Sequence, residues 1–153
     1  MRAVLQRVSH AKVECEGKVT AEINKGFMVL LGVGKGDTKD EADALAAKIA
    51  GLRVFSDENG KMNLGLADVG GDVIVVSNFT LYADTSHGKR PSFINAMLPN
   101  EANELYEYFI KKLRFNGVEN VGTGVFGGDM LCTIENDGPI TIIMDTDEWK
   151  KSK

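Results

Sequence analysis

Histidine and cysteine are almost missing from this chain. Its 153 residues include only His10, His87, Cys15 and Cys132, and none stands in a Cys-x-x-Cys or His-x-x-x-His spacing. That scarcity argues against a structural zinc site and makes a disulfide scaffold unnecessary. Carboxylates are then the only ligand class left for a metal. The cluster Asp57-Glu58-Asn59 lacks the spaced oxygens and closing Glu of a calcium loop, so it reads as a surface turn, and no metal and no cofactor is expected. No apolar run approaches the ~20 residues that span a bilayer. Arg2 and Arg7 bracket the short stretch Ala3-Val4-Leu5, which does not make a signal peptide. No membrane partner is expected, and the cytoplasm is the default compartment. Internal repeats, low-complexity tracts and linkers are also missing, so residues 1–148 read as one domain, with 149–153 as a frayed tail. Gly32-Val33-Gly34-Lys35-Gly36 has neither the Walker nor the G-x-G-x-x-G spacing and reads as a strand-to-helix turn. The net charge of −4 argues against coating nucleic acid through bulk electrostatics, and no DNA partner is expected. Contact with a small piece of RNA through a few local cations stays open.

What is present alternates between strand and helix periods. Arg2–Val8, Lys12–Cys15 and Val19–Ile23 read as strands, the last two joined at Glu16-Gly17. Gly26–Val33 is continuously apolar, as in a strand buried on both faces. Thr38 with Glu41 forms a capping box, and Ala42, Leu45, Ala46, Ile49, Leu52 and Phe55 make a helical stripe. Residues 56–71 read as loop with a short hairpin at Asn59-Gly60. Asp72–Phe79 is the next strong strand, and Leu81–Leu98 is a long loop of little periodicity. A second helix begins at Pro99 and stops at Gly117. Strands return at Asn120–Phe126, Met130–Glu135 and Ile140–Met144. The order implies an α+β fold: a curved, mostly antiparallel sheet or β-barrel-like core with two main helices packed outside.

Two motifs stand out. Gly138-Pro139 interrupts strand-like sequence, and proline cannot donate to a ladder and tolerates the cis form better than other residues. Alone it reads as a hairpin turn. Ser77-Asn78-Phe79-Thr80-Leu81 ends the most apolar strand, where backbone N–H groups lose ladder partners and can serve as an oxyanion hole. Its plainer reading is a strand-end cap. Ser77 is not in a Gly-x-Ser-x-Gly elbow, so a triad esterase built on Ser77 and His87 has no support beyond the residue types.

Together these residues resemble the D-aminoacyl-tRNA deacylase family. The resemblance runs through Leu5-Gln6-Arg7-Val8, Leu30-Leu31-Gly32-Val33, Arg53-Val54-Phe55-Ser56-Asp57, Gly60-Lys61-Met62-Asn63, Val75 to Leu81, Ala83-Asp84, Arg90-Pro91-Ser92-Phe93, and Asn136-Asp137-Gly138-Pro139 with Thr141. Asn78 departs from the family's Gln, keeping the carboxamide one methylene shorter. The resemblance implies a homodimer with active sites at the interface and a cis Gly138-Pro139 pair reaching into the site of the other subunit. It implies hydrolysis of the ester between a D-amino acid and the terminal adenosine of tRNA, and of glycyl-tRNA. Ser77, Asn78, Phe79 and Thr80 become the catalytic segment, with backbone N–H groups near Phe79 and Thr80 on the oxyanion. The tRNA 2′-hydroxyl assists the attacking water. Gly138, Pro139, Arg7, Phe93 and Arg90 become substrate-binding residues facing the tRNA acceptor end. The alternatives are a Thr80 nucleophile and a non-catalytic RNA-end binder or DNA-associated factor on the same fold.

Overall fold

The computed structural model describes residues 1–151. Its sheet is organised by β1 (Arg2–Cys15), a single strand where alternation suggested a break between Val8 and Lys12. The irregularity is absorbed as a shift in pairing, Val8 opposing Asn136 while His10 opposes Glu135. Glu16 and Gly17 form the expected turn, both at positive φ, into β2 (Lys18–Ile23). β3 (Gly26–Gly32) follows.

Helix α1 (Lys39–Ala50) starts at the Thr38 cap, with the Thr38–Glu41 box in place. It ends one turn earlier than the apolar stripe implied, because Gly51 caps it. Phe55 therefore lies in β4 (Phe55–Ser56), which pairs with β5 (Met62–Leu64), and its ring stacks on Phe27 at 5.1 Å. Between them Asp57 Oδ1 accepts the N–H groups of Asn59 and Lys61 at 2.8 and 3.0 Å, the surface turn read from sequence. A four-residue helix, α2 (Leu66–Val69), leads to β6 (Asp72–Ser77). Helix α3 (Pro99–Phe115), β7 (Val121–Thr123), β8 (Met130–Asp145) and α4 (Thr146–Lys151) complete the chain.

The expected fray at 149–153 is corrected for its first part: α4 is helical to Lys151, with Trp149 packed against the core, and residues 152 and 153 lie outside the described residues. Acidic residues in the first turn, Asp147 and Glu148, suit a helix N-terminus.

The main path is β2-β1-β3-β6-β7, with β8 along the other side of β1. Pairings of β1 are antiparallel, whereas β3-β6 and β6-β7 are parallel, joined by crossovers carrying α1 and α3. Period-two alternation sorts the buried strands. Phe27, Val29, Val73 and Val75 face the layer of α1 and α3, while Met28, Ile74 and Val76 face the concave side with Val8, Ala11 and Val13. The sheet curls until β2 meets β7: a Cβ on Gly122 would lie 2.8 Å from the Ala21 Cβ, so glycine permits the closure. The result is a nearly closed barrel with its main helices outside, as the α+β reading implied. Among the described residues no helix is long and apolar enough to cross a membrane.

Candidate active site at the mouth of the barrel

The chain leaves β6 at Ser77, and Asn78 still donates its N–H to the Leu31 carbonyl at 2.8 Å. Instead of extending to Phe79, it turns into a 3-10 helix over Phe79–Tyr82. Asn78 causes the turn. Its backbone is extended and its Oδ1 accepts the Thr80 N–H at 3.2 Å and the Thr80 hydroxyl, a local cap that competes with strand continuation. In this arrangement the Thr80 N–H donates to Asn78. The Phe79 N–H has no partner among the described residues and is the free donor at this point.

Beside this turn, at the C-terminal ends of β3 and β6, opens a cavity of about 700 Å³. Ligands in sheets with parallel strands favour this location. Leu30, Val76, Cys132 and Ile134 line it from the sheet, Met97, Leu98 and Ala102 from the approach to α3, and Phe126 from the β7–β8 connection. Phe79 is 57% exposed and meets Phe93 edge-to-face, with ring centroids 5.0 Å apart. These two aromatics form an apolar wall over which a flat base can pack. Asp129 is the only carboxylate among the described lining residues, and no His or Lys among them lines the cavity. Burial raises the Cys132 thiol above its usual range, so it stays protonated and serves as an apolar lining group.

The second cluster is built on β8. Gln6 opposes Thr141 and Val8 opposes Asn136, so residues 137–140 bulge out against the single residue Arg7. Arg7 is nearly buried, at 11% side-chain exposure. Its Nε donates to the Asp137 carbonyl at 3.1 Å and its Nη1 to the Val54 carbonyl at 2.7 Å, tying the bulge to the segment before β4. Asn136 Oδ1 accepts the Ile140 N–H at 3.1 Å across the bulge. The Gly138-Pro139 bond is cis, both residues are exposed, and Gly138 has φ +134°, a region that disfavours any side chain. Arg7, Gly138 and Pro139 do not line the cavity. Ser77 is level with Leu31 and Ala3, whereas the bulge is level with Arg7, about 13 Å further along β1 at ~3.3 Å per residue. One chain therefore brings Ser77, Asn78, Phe79, Thr80 and Phe93 together and leaves Arg7, Gly138 and Pro139 apart from them.

Arg90 sits in an exposed loop closed by reciprocal Asp84–Ser92 backbone bonds at 2.8 and 2.9 Å. In that loop the Ser86 side chain and N–H donate to Asp84, which lowers the Asp84 carboxyl below its ordinary value. His87 Nδ1 lies 2.8 Å from Ser86 Oγ, so His87 engages Ser86 and not Ser77. The described hydrogen bonds and ion pairs place no His, Asp or Glu on Thr80. No cluster of three or more His, Cys, Asp or Glu able to hold a metal occurs among the described residues. Sequence reasoning missed Met97, Leu98, Phe126 and Cys132 as cavity residues. The Gly127-Gly128 pair after Phe126 is the sequence signal that could have pointed there.

Three comparisons bear on this arrangement. Residues 4–145 match the family model described as D-Tyr-tRNA(Tyr) deacylase. A Lacticaseibacillus casei protein named D-aminoacyl-tRNA deacylase is 57% identical, covering 96% of this chain and 99% of its own. A Thermosipho melanesiensis protein of the same name is 50% identical, covering 95% and 97%. Among solved structures, one named c-Myc DNA Unwinding Element Binding Protein superposes with a TM-score of 0.89 at 38% identity, covering 95% of this chain and 98% of that one. Another, described as a probable eukaryotic D-amino acid tRNA deacylase, shares the fold with a TM-score of 0.78 at 17% identity, covering 94% and 98%.

Proposed function

Since the chain belongs to the D-Tyr-tRNA(Tyr) deacylase family, we propose that it hydrolyses the ester joining a D-amino acid to the terminal adenosine of tRNA, releasing free D-amino acid and tRNA. The observation that carries this reading is the unpartnered Phe79 N–H at the mouth of an apolar, aromatic-walled cavity whose one lining carboxylate among the described residues is Asp129, in the β7–β8 connection. The adenine packs against Phe79 and Phe93. Water attacks the ester carbonyl, the oxyanion is stabilised at the Phe79 N–H, and the ribose 3′-oxygen leaves with a proton. No side-chain base is bonded at the Phe79–Thr80 turn, and the neighbouring 2′-hydroxyl of the tRNA orients and activates the water.

Enantiomer choice falls to the main-chain oxygens of Gly138 and Pro139, offered by a second copy of the chain in a homodimer. They accept bonds from the substrate ammonium group and leave no room for an L-residue's Cβ. Selection by clash tolerates many D side chains and admits glycine, which has no Cβ. Arg7 supports this role by fixing the bulge from behind. A Thr80 nucleophile is disfavoured because its hydroxyl proton goes to Asn78 and no base stands behind it. The solved structure at 38% identity bears a DNA-binding name and so offers a DNA-associated alternative, against which stands the net charge of −4.

The test compares D-tyrosyl-tRNA with L-tyrosyl-tRNA in the presence of a chelator. Rapid hydrolysis of the D form alone is expected. Equal rates for the two hands, or loss of activity to the chelator, would overturn the steric filter.

A further inference from the structure

A second concavity, of about 350 Å³, lies between α3 and the β7–β8 connection. Its α3 side carries Asn103, Glu107, Lys111 and Arg114, spaced three or four residues apart and so aligned as one stripe. Phe126 lines both this concavity and the larger cavity, and its ring lies 5.8 Å from that of Tyr106. The start of α3, at Pro99 and Ala102, borders the first space, and Asn103 to Arg114 border the second. The two share Phe126 as a common wall and follow one another along the helix, a track that from Ala102 to Arg114 runs about 18 Å at ~1.5 Å per residue.

The charges at its far end are unspent. Lys112 pairs with Asp43, but neither Lys111 nor Arg114 has a carboxylate partner among the described residues, and Arg114 bonds only the Val121 carbonyl, at 3.2 Å. Glu107 is the one carboxylate among the described residues of this concavity, so a positive excess remains. Cations near a helix C-terminus also offset its dipole, which alone accounts for their presence but not for their alignment with an aromatic on a track that follows on from the larger cavity.

We propose that this track binds the single-stranded nucleotides preceding the terminal adenosine of the RNA substrate, with Lys111 and Arg114 on their phosphates and Phe126 as a stacking face. A positively charged track interleaved with an aromatic is the general solution for a single strand, and the length suits a few extended nucleotides. The inference rests on the reading of the larger cavity as the adenosine site.

The experiment measures kcat/KM on D-tyrosyl-tRNA and on D-tyrosyl-adenosine, which lacks the upstream nucleotides, for the full chain and for Lys111→Ala/Arg114→Ala. The unmodified protein should prefer the tRNA substrate. The double variant should lose roughly tenfold on tRNA through KM, and its salt slope should fall by about 1.4, ~0.7 for each single-strand phosphate contact. Hydrolysis of D-tyrosyl-adenosine should not follow that loss, and Lys111→Arg should keep the tRNA preference. A proportional fall on both substrates marks a merely structural role and overturns the proposal, as does an unchanged tRNA rate or salt slope. Failure of the unmodified protein on both substrates would instead overturn the reading of the cavity, and the track with it.

Discussion

Asn78 decides what the residues after it are able to do. Its carboxamide oxygen takes both the N–H and the hydroxyl proton of Thr80, leaving Phe79 to present the unpaired N–H at the start of the turn. In the proposed reaction the side chain is thus a positioning group, and its effect belongs on kcat. Asn78→Ala should lower kcat on D-tyrosyl-tRNA by about tenfold with little change in KM, a misplaced donor costing less than the roughly 10²–10³ of a deleted one. Asn78→Ser, which caps a helix about as well, should keep most of the activity. Single-turnover hydrolysis reads both, and a neutral alanine variant would remove Asn78 from the mechanism. At this scale the residue types were legible, because a polar Ser-Asn pair ending an apolar run is visible in sequence. The bonding was not. Whether Asn78 reaches outward or closes on Thr80 depends on a strand giving way to a 3-10 turn, which no local pattern announces. The same holds for Arg7, whose carbonyl partners at Val54 and Asp137 are distant in sequence.

Among the elements, α4 shows what short segments hide. Six residues are too few to be helical alone, so its presence depends on tertiary contacts. Lys150 Nζ lies 2.6 Å from Glu41 Oε1, Thr146 packs on Met1, and Trp149 joins the core. Glu41 consequently serves two elements, closing the Thr38 capping box of α1 and holding α4. Burial alone would raise its carboxyl. The bonds from Lys150 and Thr38 outweigh that and bring it from 4.5 to about 2. A depressed carboxyl contributes stability in full above its unfolded value and loses it as pH falls from about 4.5 toward about 2. Glu41→Gln should therefore cost about 1 kcal/mol at neutral pH, and the gap from the unmodified protein should narrow below the ordinary carboxylate value. Urea denaturation at pH 7 and at pH 3 checks it; a gap constant with pH would show that the carboxylate charge is not what matters. The capping box itself was legible from Thr38 and Glu41. The parallel pairing of β3, β6 and β7 was not, because antiparallel and parallel partners for an all-apolar strand read alike until the crossovers are placed.

At the scale of the whole molecule, the difficulty is that one chain holds two incomplete halves. The cavity with Phe79 and the bulge with Gly138 are separated along β1, yet the proposed reaction needs both at one carbonyl. Either the bulge plays no part, or a second copy supplies it through a two-fold interface, where each surface is used reciprocally. The sequence resemblance implies the second option, and it is the one the proposed reaction requires. Two variants separate the options. Phe79→Pro removes the free N–H at the first position of a helical turn, where proline is tolerated, and should lower kcat by about 10²–10³. Gly138→Ala places a Cβ 2.9 Å from the Ile140 backbone N at φ +134°, distorting the bulge. Each protein alone should be nearly inactive on D-tyrosyl-tRNA. Co-expressed in equal amounts, they should form mixed dimers in which one site carries both defects and the other carries neither. Random pairing then restores about a quarter of the full activity, since about half the dimers are mixed and each has one sound site. If the two halves worked within a single chain, every site would keep one defect, and the mixture would never exceed the average of its parts.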